Sequence, residues 1–203
     1  RFVNAVHRTQ TSHLPAPFDP TPAEQDISVY YTDMDYGGIS FAILHDRQFK
    51  DSASVMVPEG KVKNGWFTAD GFDPVTDGDN PDAPLLGDRQ EKFLQEWATE
   101  ARPTWKNVVL SQSPFACVQT LPSGKRGGAQ RSNMMLPLGE LAKDAKSADC
   151  DSNGWPQTAR DRAVALLNEA DALHITGDQH LAFVVRYGLD DHRDSGYVFC
   201  TPA

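Results

Sequence analysis

Residues 172–185 read ALHITGDQHLAFVV, the stretch from which the rest of the chain is interpreted. An apolar run ends at Gly177, and Asp178 and His180 follow before a second apolar run begins. A buried strand that ends in a tight glycine turn can direct a carboxylate and an imidazole at one cation. An aspartate in a turn also caps backbone amides, and a single histidine is often structural, so the spacing leaves both interpretations open.

The composition is ordinary for a soluble globular protein and excludes several functional classes. The chain has 203 residues, of which 39% are hydrophobic, enough for one substantial core. Its formal charge of −9 disfavours a role in coating nucleic acid, because phosphate backbones are held by clustered Lys and Arg. No apolar run reaches the length of a membrane span, and the first residues lack the pattern of a secretion signal. The 3 cysteines are widely separated and permit at most one disulfide.

The order of the predicted elements indicates a layered α/β architecture. Short β-rich runs at 27–31 and 39–44 are expected to form a hairpin. Amphipathic patterns predict one helix over 86–101 and a second that opens at Trp155 and Pro156, each followed by a short buried strand.

Three segments lack such patterns. Residues 11–26 hold four prolines and are expected to form an extended arm. Residues 51–84 and 119–153 are polar and irregular, and are expected to be long surface excursions of the kind that shape binding sites. Because the carboxyl ends of parallel strands converge in one crevice, the polar residues just past the predicted strands are site candidates. These residues are Asp46, Gln112, Asp178 and His180.

Five stretches in sequence resemble the PhoD-like branch of the calcineurin-type metallophosphatases, also called the alkaline phosphatase D family. Their order and approximate spacing match from near residue 1 to near residue 203. The stretches are residues 8–15 (RTQTSHLP), residues 37–44 running into Asp46 and Arg47, Leu86 and Gly87 with Gln90, residues 109–112 (VLSQ), and residues 177–180 (GDQH).

The resemblance implies a fold and an activity. The fold would be a four-layer α/β/β/α sandwich, with residues 1–203 forming the C-terminal part of a single metallophosphatase domain. The activity would be hydrolysis of small-molecule phosphate mono- or diesters by a metal-activated hydroxide at a two-metal centre. Oxygen ligands and an imidazole suit iron, manganese, calcium or zinc, and the sequence does not choose among them. The family also suggests a periplasmic or secreted protein, for which this chain carries no signal.

The resemblance assigns roles to five residues. His180 matches the final metal-ligand histidine, and Asp178 holds the place where related phosphoesterases carry a histidine in the same turn; both are the predicted metal ligands and catalytic residues. Gln112 falls where many relatives place another histidine ligand, and a hydrogen bond to substrate or bound water is the stronger alternative for it. Arg47 either presents its fork of donors to a phosphate or forms a structural ion pair. His13 is the third candidate for binding substrate.

The remaining histidines are given no chemical role. His45 departs from the residue expected beside Asp46. The other three are interpreted as surface or strand residues without partners. They are His7, His174 and His192.

The main departure from the family pattern is an absence, since the family's first metal motifs should precede every stretch quoted above. A two-metal centre needs roughly six to eight protein ligands, and this chain offers two convincing ones. We therefore expect the rest of the site to come from a missing N-terminal segment or a second chain, with activity lost in this chain alone. The alternative is a catalytically silent binding or structural module that retains half of the fold. No nucleophile elbow, phosphate-binding loop or dinucleotide fingerprint favours another enzyme class.

Overall fold

The computed structural model describes residues 1–100, 102–103, 106–117 and 147–202. Two short 3-10 turns also lie within this part of the chain, at Glu24–Asp26 and Pro58–Gly60. The helices are α1 (Phe2–Thr11), α2 (Asp46–Phe49), α3 (Ala53–Met56), α4 (Asp88–Thr99) and α5 (Gln157–Glu169). The strands are β1 (Thr32–Tyr36), β2 (Ile39–Ile43), β3 (Val62–Lys63), β4 (Trp66–Phe67), β5 (Lys106–Leu110), β6 (Ala172–Thr176), β7 (Phe183–Arg186) and β8 (Tyr197–Cys200).

A mixed sheet of six strands organises the fold, in the order β1-β2-β5-β6-β8-β7. Strands β2, β5, β6 and β8 are parallel, and an antiparallel strand closes each edge. Helix α4 precedes β5, and α5 precedes β6, as the amphipathic patterns predict. The prediction of an α/β fold is therefore confirmed, and the carboxyl ends of four neighbouring strands lie at one edge of the sheet.

The first hairpin differs from the prediction. Its first strand is β1 at Thr32–Tyr36, not residues 27–31, and the turn consists of Gly37 and Gly38 alone. Both glycines have positive φ, 61° and 80°, which a two-residue hairpin turn requires. Because β1 is an edge strand, it tolerates the polar residues Asp33 and Asp35, which hid it from a search for apolar runs.

The two faces of the six-stranded sheet are buried to different extents. One face carries Ala42, Val109 and His174, which are all 0% exposed. Helix α4 packs on this face, since the indole Nε1 of Trp97 donates to Ser40 Oγ at 3.1 Å. On the opposite face the side chains are apolar and mostly half-buried or exposed. They include Phe41, Ile43, Leu110, Leu173, Ile175, Val184 and Phe199.

The chain divides into two compact units. The first consists of residues 1–49, 86–113 and 163–203 and contains the six-stranded sheet. The second consists of residues 50–85 and 114–162. Of the predicted excursion over 119–153, residues 119–146 lie outside the described part of the structure.

The second unit corrects the prediction for residues 51–84. This segment is not a bare surface excursion, because it contains short helices, the β3–β4 pair and a hydrophobic cluster. Isolated aromatic residues with few apolar neighbours in sequence concealed the cluster, since its members come from distant segments. The cluster consists of Ala53, Val57, Phe67, Ala83, Cys150 and Trp155.

Two further expectations concern membranes and disulfides. None of the helices within the described residues is long and apolar enough to cross a membrane. All three cysteines are described, and each is a free thiol. Burial raises the pKa of the Cys117 and Cys150 thiols to about 12, so neither is a reactive thiolate near neutral pH.

Candidate active site at the carboxyl ends of the strands

The segments that follow β2, β5 and β6 lie side by side at the edge of the sheet. Backbone hydrogen bonds continue past the strands, since Leu44 N donates to Leu110 O at 2.8 Å and Gly177 N donates to Gln112 O at 3.3 Å. This brings together the polar residues that the sequence placed at separate strand ends. We refer to Asp46, Arg47, Gln112, Ser113 and Asp178 as the strand-end cluster.

Asp46 is the buried anchor of the cluster. Its carboxylate is 0% exposed and accepts hydrogen bonds from the backbone N–H groups of Gln112 at 2.8 Å and Ser113 at 3.1 Å. A carboxylate that accepts from two consecutive amides fixes the path of the chain between them. The side chain of Asp46 therefore holds the segment after β5 in place and does not face a substrate.

The side chain of Gln112 contacts the segment that follows β2. Its side-chain Oε1 accepts a hydrogen bond from the backbone N of Arg47 at 3.0 Å. The residue itself is exposed. Oε1 therefore already accepts one hydrogen bond from the fold, and the Nε2 group can donate to a ligand.

Asp178 is the point where three elements meet. Its Oδ2 accepts from Ser113 Oγ at 2.6 Å and lies 3.7 Å from a guanidinium nitrogen of Arg47. The two side chains of this ion pair are 39% and 38% exposed, so the pair contributes little to stability but places both charges on an accessible surface. The sequence offered an ion pair or a substrate role for Arg47, and the geometry permits both.

The turn that carries Asp178 and His180 is unusual in its backbone. Asp178 has φ 72° and His180 has φ 53°, both in the left-handed region that L residues rarely adopt. Such conformations cost free energy, and they persist where a chain must aim particular side chains. The His180 ring is exposed, and no hydrogen bond or ion pair holds it within the described residues.

The structure does not bring His13 to this cluster. It lies in the exposed turn after α1, and within the described part of the chain no contact joins its ring to a cluster residue. Its role in binding substrate stays a prediction.

Several residues near the cluster were missed or misread from sequence. Ser113, whose hydroxyl donates to Asp178, was not among the candidates predicted from sequence. His174 is not a strand residue without partners, because it is 0% exposed and hydrogen-bonded at both ring nitrogens, to Ser111 Oγ and to Tyr187 OH. The only sequence signal was the polar residue in the middle of the apolar run.

His7 was also misread as a residue without partners, because it forms a pair with His45. Their ring centroids are 5.1 Å apart, edge to face. His7 Nδ1 also lies 2.9 Å from Ser28 Oγ, and His45 Nδ1 accepts from the backbone N of Tyr30 at 3.2 Å. These contacts connect α1 to the residue that precedes Asp46.

The described residues alone do not fit a complete two-metal centre. No group of three or more histidine, cysteine, aspartate or glutamate side chains is positioned to hold a metal ion among them. Among the described strand-end residues, Asp178 and His180 are the two exposed donors of suitable type, and the Arg47 guanidinium already neutralises part of the Asp178 charge. Further ligands would be needed from outside the described residues.

His174 gives a prediction for the pH dependence of stability. Burial lowers its pKa to about 3, whereas an unfolded histidine titrates near 6.5. Below pH 6.5 the unfolded chain binds a proton that the folded chain excludes, so the free energy of unfolding falls as the pH is lowered. This one group contributes a slope of up to about 1.4 kcal/mol per pH unit.

Urea unfolding between pH 7 and pH 5 measures this slope. His174→Gln, which cannot titrate, is expected to show a shallower slope than the wild type. The slope is not abolished, because burial and the nearby His7 also lower the pKa of His45, to about 4. Equal slopes for the two proteins would contradict the assignment of His174 as a buried neutral group.

Comparison with known proteins identifies the class. The mixed α/β fold, with polar residues gathered at the carboxyl ends of parallel strands, is the arrangement of many α/β enzymes. The family model of the PhoD-like phosphatases matches residues 7–201, so the chain belongs to that family. This confirms the resemblance inferred from the five stretches.

A solved structure shows the same fold. The chain described as "Structure of PhoD" aligns with a TM-score of 0.63 and 21% sequence identity over 100% of the present chain. Only 34% of that chain is covered, so the present chain spans about a third of its length. A search of curated proteins found no match.

Proposed function

We propose that this chain forms part of a metal-dependent phosphoester hydrolase and supplies the strand-end cluster to its active site. The observation that carries the proposal is the meeting of Arg47, Ser113 and Asp178 at the carboxyl edge of three parallel strands. A guanidinium fork beside a metal-binding carboxylate suits a phosphate ester, whose oxygens need both hydrogen-bond donors and cations. Membership of the PhoD-like family supports the same reaction class.

The residues have distinct roles in this proposal. Arg47 donates hydrogen bonds to the non-bridging oxygens of the ester, and Gln112 Nε2 adds a neutral donor beside it. Asp178 and His180 contribute a carboxylate oxygen and an imidazole nitrogen to metals whose other ligands come from outside the described residues. When bound, such metals polarise the phosphoryl group and lower the pKa of water. Asp46 and Ser113 hold this geometry in place.

We also propose that the six-stranded sheet is one layer of a four-layer α/β/β/α sandwich and that the chain is the C-terminal part of that domain. The half-exposed apolar face of the sheet supports this, since Val184 is 56% and Phe199 41% exposed in adjacent strands. An apolar sheet face is normally covered by another layer. The second sheet would cover it and bring the missing ligands to the same edge.

The alternative is a catalytically silent module. The small number of metal donors among the described residues favours it, because Asp178 is the one carboxylate of the cluster exposed to a ligand. Arg47 would then serve only as its ion-pair partner. The two proposals differ in metal content and turnover.

A single assay separates them. We would assay two proteins, the 203-residue chain and the complete gene product that contains it. Each is incubated with a phosphate monoester, 4-nitrophenyl phosphate, and a diester, bis(4-nitrophenyl) phosphate, in buffer supplemented with Fe, Mn, Ca or Zn ions. Bound metal is quantified on the same samples. Turnover by the gene product that a chelator abolishes would support the hydrolase, and turnover by the 203-residue chain would show that this chain completes the site. Absence of metal and turnover in both would leave the silent module.

Arg47→Ala is expected to raise the KM for the ester about tenfold or more, since a hydrogen bond to a charged group is worth about 1.5–3 kcal/mol. Arg47→Lys keeps the positive charge but loses the forked pair of donors, so its KM should lie between that of wild type and that of Arg47→Ala. Stability should change by less than about 1 kcal/mol in both variants, because the ion pair is exposed. An unchanged KM in Arg47→Ala, measured with the active gene product, would assign Arg47 a structural role only.

A further inference from the structure

A row of hydrogen bonds lies behind the strand-end cluster, inside the sheet. His174 is in the middle of β6, and its Nε2 lies 2.7 Å from Ser111 Oγ, at the end of β5. Its Nδ1 lies 2.8 Å from the hydroxyl of Tyr187, which is 1% exposed. Both ring nitrogens are therefore satisfied without water.

Which atoms donate and which accept in the two hydrogen bonds of His174 follows from where the Ser111 hydroxyl donates. Ser111 Oγ donates to the backbone oxygen of Ser113 at 2.8 Å, so it must accept from the imidazole. His174 then carries its proton on Nε2, and Nδ1 accepts from the Tyr187 hydroxyl. With no lone pair directed at Ser111, the imidazole is not a general base for that hydroxyl, and the serine is not an activated nucleophile.

The row ends at the cluster. Ser113, whose backbone oxygen accepts the hydrogen bond from Ser111 Oγ, donates through its own Oγ to Asp178 Oδ2 at 2.6 Å. Its backbone N donates to the Asp46 carboxylate at 3.1 Å. The peptide of Ser113 is thus held from the interior on one side and by Asp46 on the other.

We propose that His174 is a positioning residue: with Ser111 and Tyr187 it fixes residues 111–113 and, through Ser113, the orientation of the Asp178 carboxylate. The consequence for phosphoester chemistry rests on the function proposed above. The hydrogen-bond path does not, because it connects residues of the fold itself.

The position of His174 argues for this role over packing alone. Its neighbours in the adjacent strands are Val109 and Val198, which are aliphatic and 0% exposed. A third aliphatic residue would pack there without the cost of burying a polar ring. Burial lowers the pKa of His174 to about 3, which keeps the ring neutral and the bonds unchanged at neutral pH.

The test compares four variants of the full chain by native-state amide hydrogen exchange at Gln112 and Ser113. His174→Leu removes both hydrogen bonds, His174→Gln can restore them, and Tyr187→Phe removes one hydroxyl from the far end of the row. Val198→Ala is the matched control, since it disturbs the packing beside His174 without touching the row.

Of the two bonds lost in His174→Leu, the one to Ser111 holds the residue next to Gln112. Losing one hydrogen bond is worth about a factor of ten, so exchange at these two amides should accelerate about tenfold relative to Val198→Ala. His174→Gln should restore protection. If His174→Leu fails to fold, Tyr187→Phe carries the comparison, with a smaller acceleration at the same amides. Equal protection in Tyr187→Phe and wild type, or equal acceleration in Val198→Ala, would overturn the proposal.

Turnover adds a readout that separates this proposal from the one above. In a hydrolytically active gene product, His174→Leu should lower kcat about tenfold with little change in KM, because Arg47, which lies outside residues 111–113, still binds the ester. His174→Gln should recover most of kcat, and equal kcat in His174→Leu and wild type would count against positioning. A wild-type protein without turnover would remove the proposed function, while hydrogen exchange would still decide the role of His174.

Discussion

Asp46→Ala is expected to lower the free energy of unfolding by about 3–6 kcal/mol, since two hydrogen bonds to a charged group are each worth about 1.5–3 kcal/mol. The wild-type carboxylate is fully buried and accepts from the amides of Gln112 and Ser113. In the variant both amides lose their partner, and the Ser113 amide loses it in a buried residue. A loss of this size exceeds that of most single substitutions.

Asp46→Asn separates charge from shape. The asparagine side chain keeps one acceptor oxygen but turns an NH2 group toward a backbone N–H, so one bond is lost and two donors face each other. Its stability should fall between that of wild type and Asp46→Ala. Asp35→Ala is the control, because Asp35 is an exposed carboxylate on the edge strand β1 and should change stability by less than about 0.5 kcal/mol.

Urea unfolding of the four proteins at neutral pH decides the matter. If Asp46→Ala proves no less stable than Asp35→Ala, Asp46 does not organise the segment after β5. Asp46 would then be available for the role that its place just past a strand predicted, a contact with a ligand or substrate.

Much of the fold is predictable from sequence, for reasons visible in particular elements. Helix α4 has strong apolar periodicity, and the large apolar residues that the pattern selects are buried in it. In β6 the apolar run predicts the strand but not its buried face, which carries His174 and Thr176. Strand β1 was placed five residues too early, because Val29 and Tyr31 are buried without being in a strand. Apolar periodicity in a sequence indicates which residues are buried, and it predicts secondary structure only indirectly, from that pattern of burial.

The second unit shows a different limit. Its cluster joins Phe67 with Trp155, whose rings lie 6.3 Å apart across 88 positions of sequence. No local window contains that contact. A segment rich in Gly, Pro and Asp therefore reads as a loop even where it packs.

The candidate site divides in the same way. Asp178, Arg47 and Gln112 were found because they follow strands, and the structure brings them together. The partner Ser113 and the anchor role of Asp46 depend on distances between strands that only the tertiary structure fixes. His174 was set aside because a lone histidine in a strand carries no signal of its two partners.

His180→Ala is expected to reduce phosphoester turnover in the active gene product by more than about 100-fold, since even residues that merely orient a metal ligand cost 10–100-fold when changed. The ring is exposed, and no hydrogen bond holds it within the described residues, so removing it should leave the stability of the fold unchanged. The positive φ of this residue, 53°, shows that the turn accepts an unfavourable backbone while presenting the ring outward. A purely structural histidine would be expected to have a partner in the fold.

The measurement pairs turnover with bound metal and with the urea midpoint. His192→Ala is the matched control, because His192 is also an exposed loop histidine and lies in the turn between β7 and β8. We expect it to match wild type in all three, whereas His180→Ala should lose turnover and part of its metal at an unchanged midpoint. If His180→Ala kept full metal and turnover, His180 would not be a metal ligand, and the turn after β6 would be a structural cap. If His180→Ala were less stable than wild type instead, the ring must contact parts of the protein beyond the described residues. The turn would then be part of a packing interface, and the metal-ligand role of His180 would lose its support.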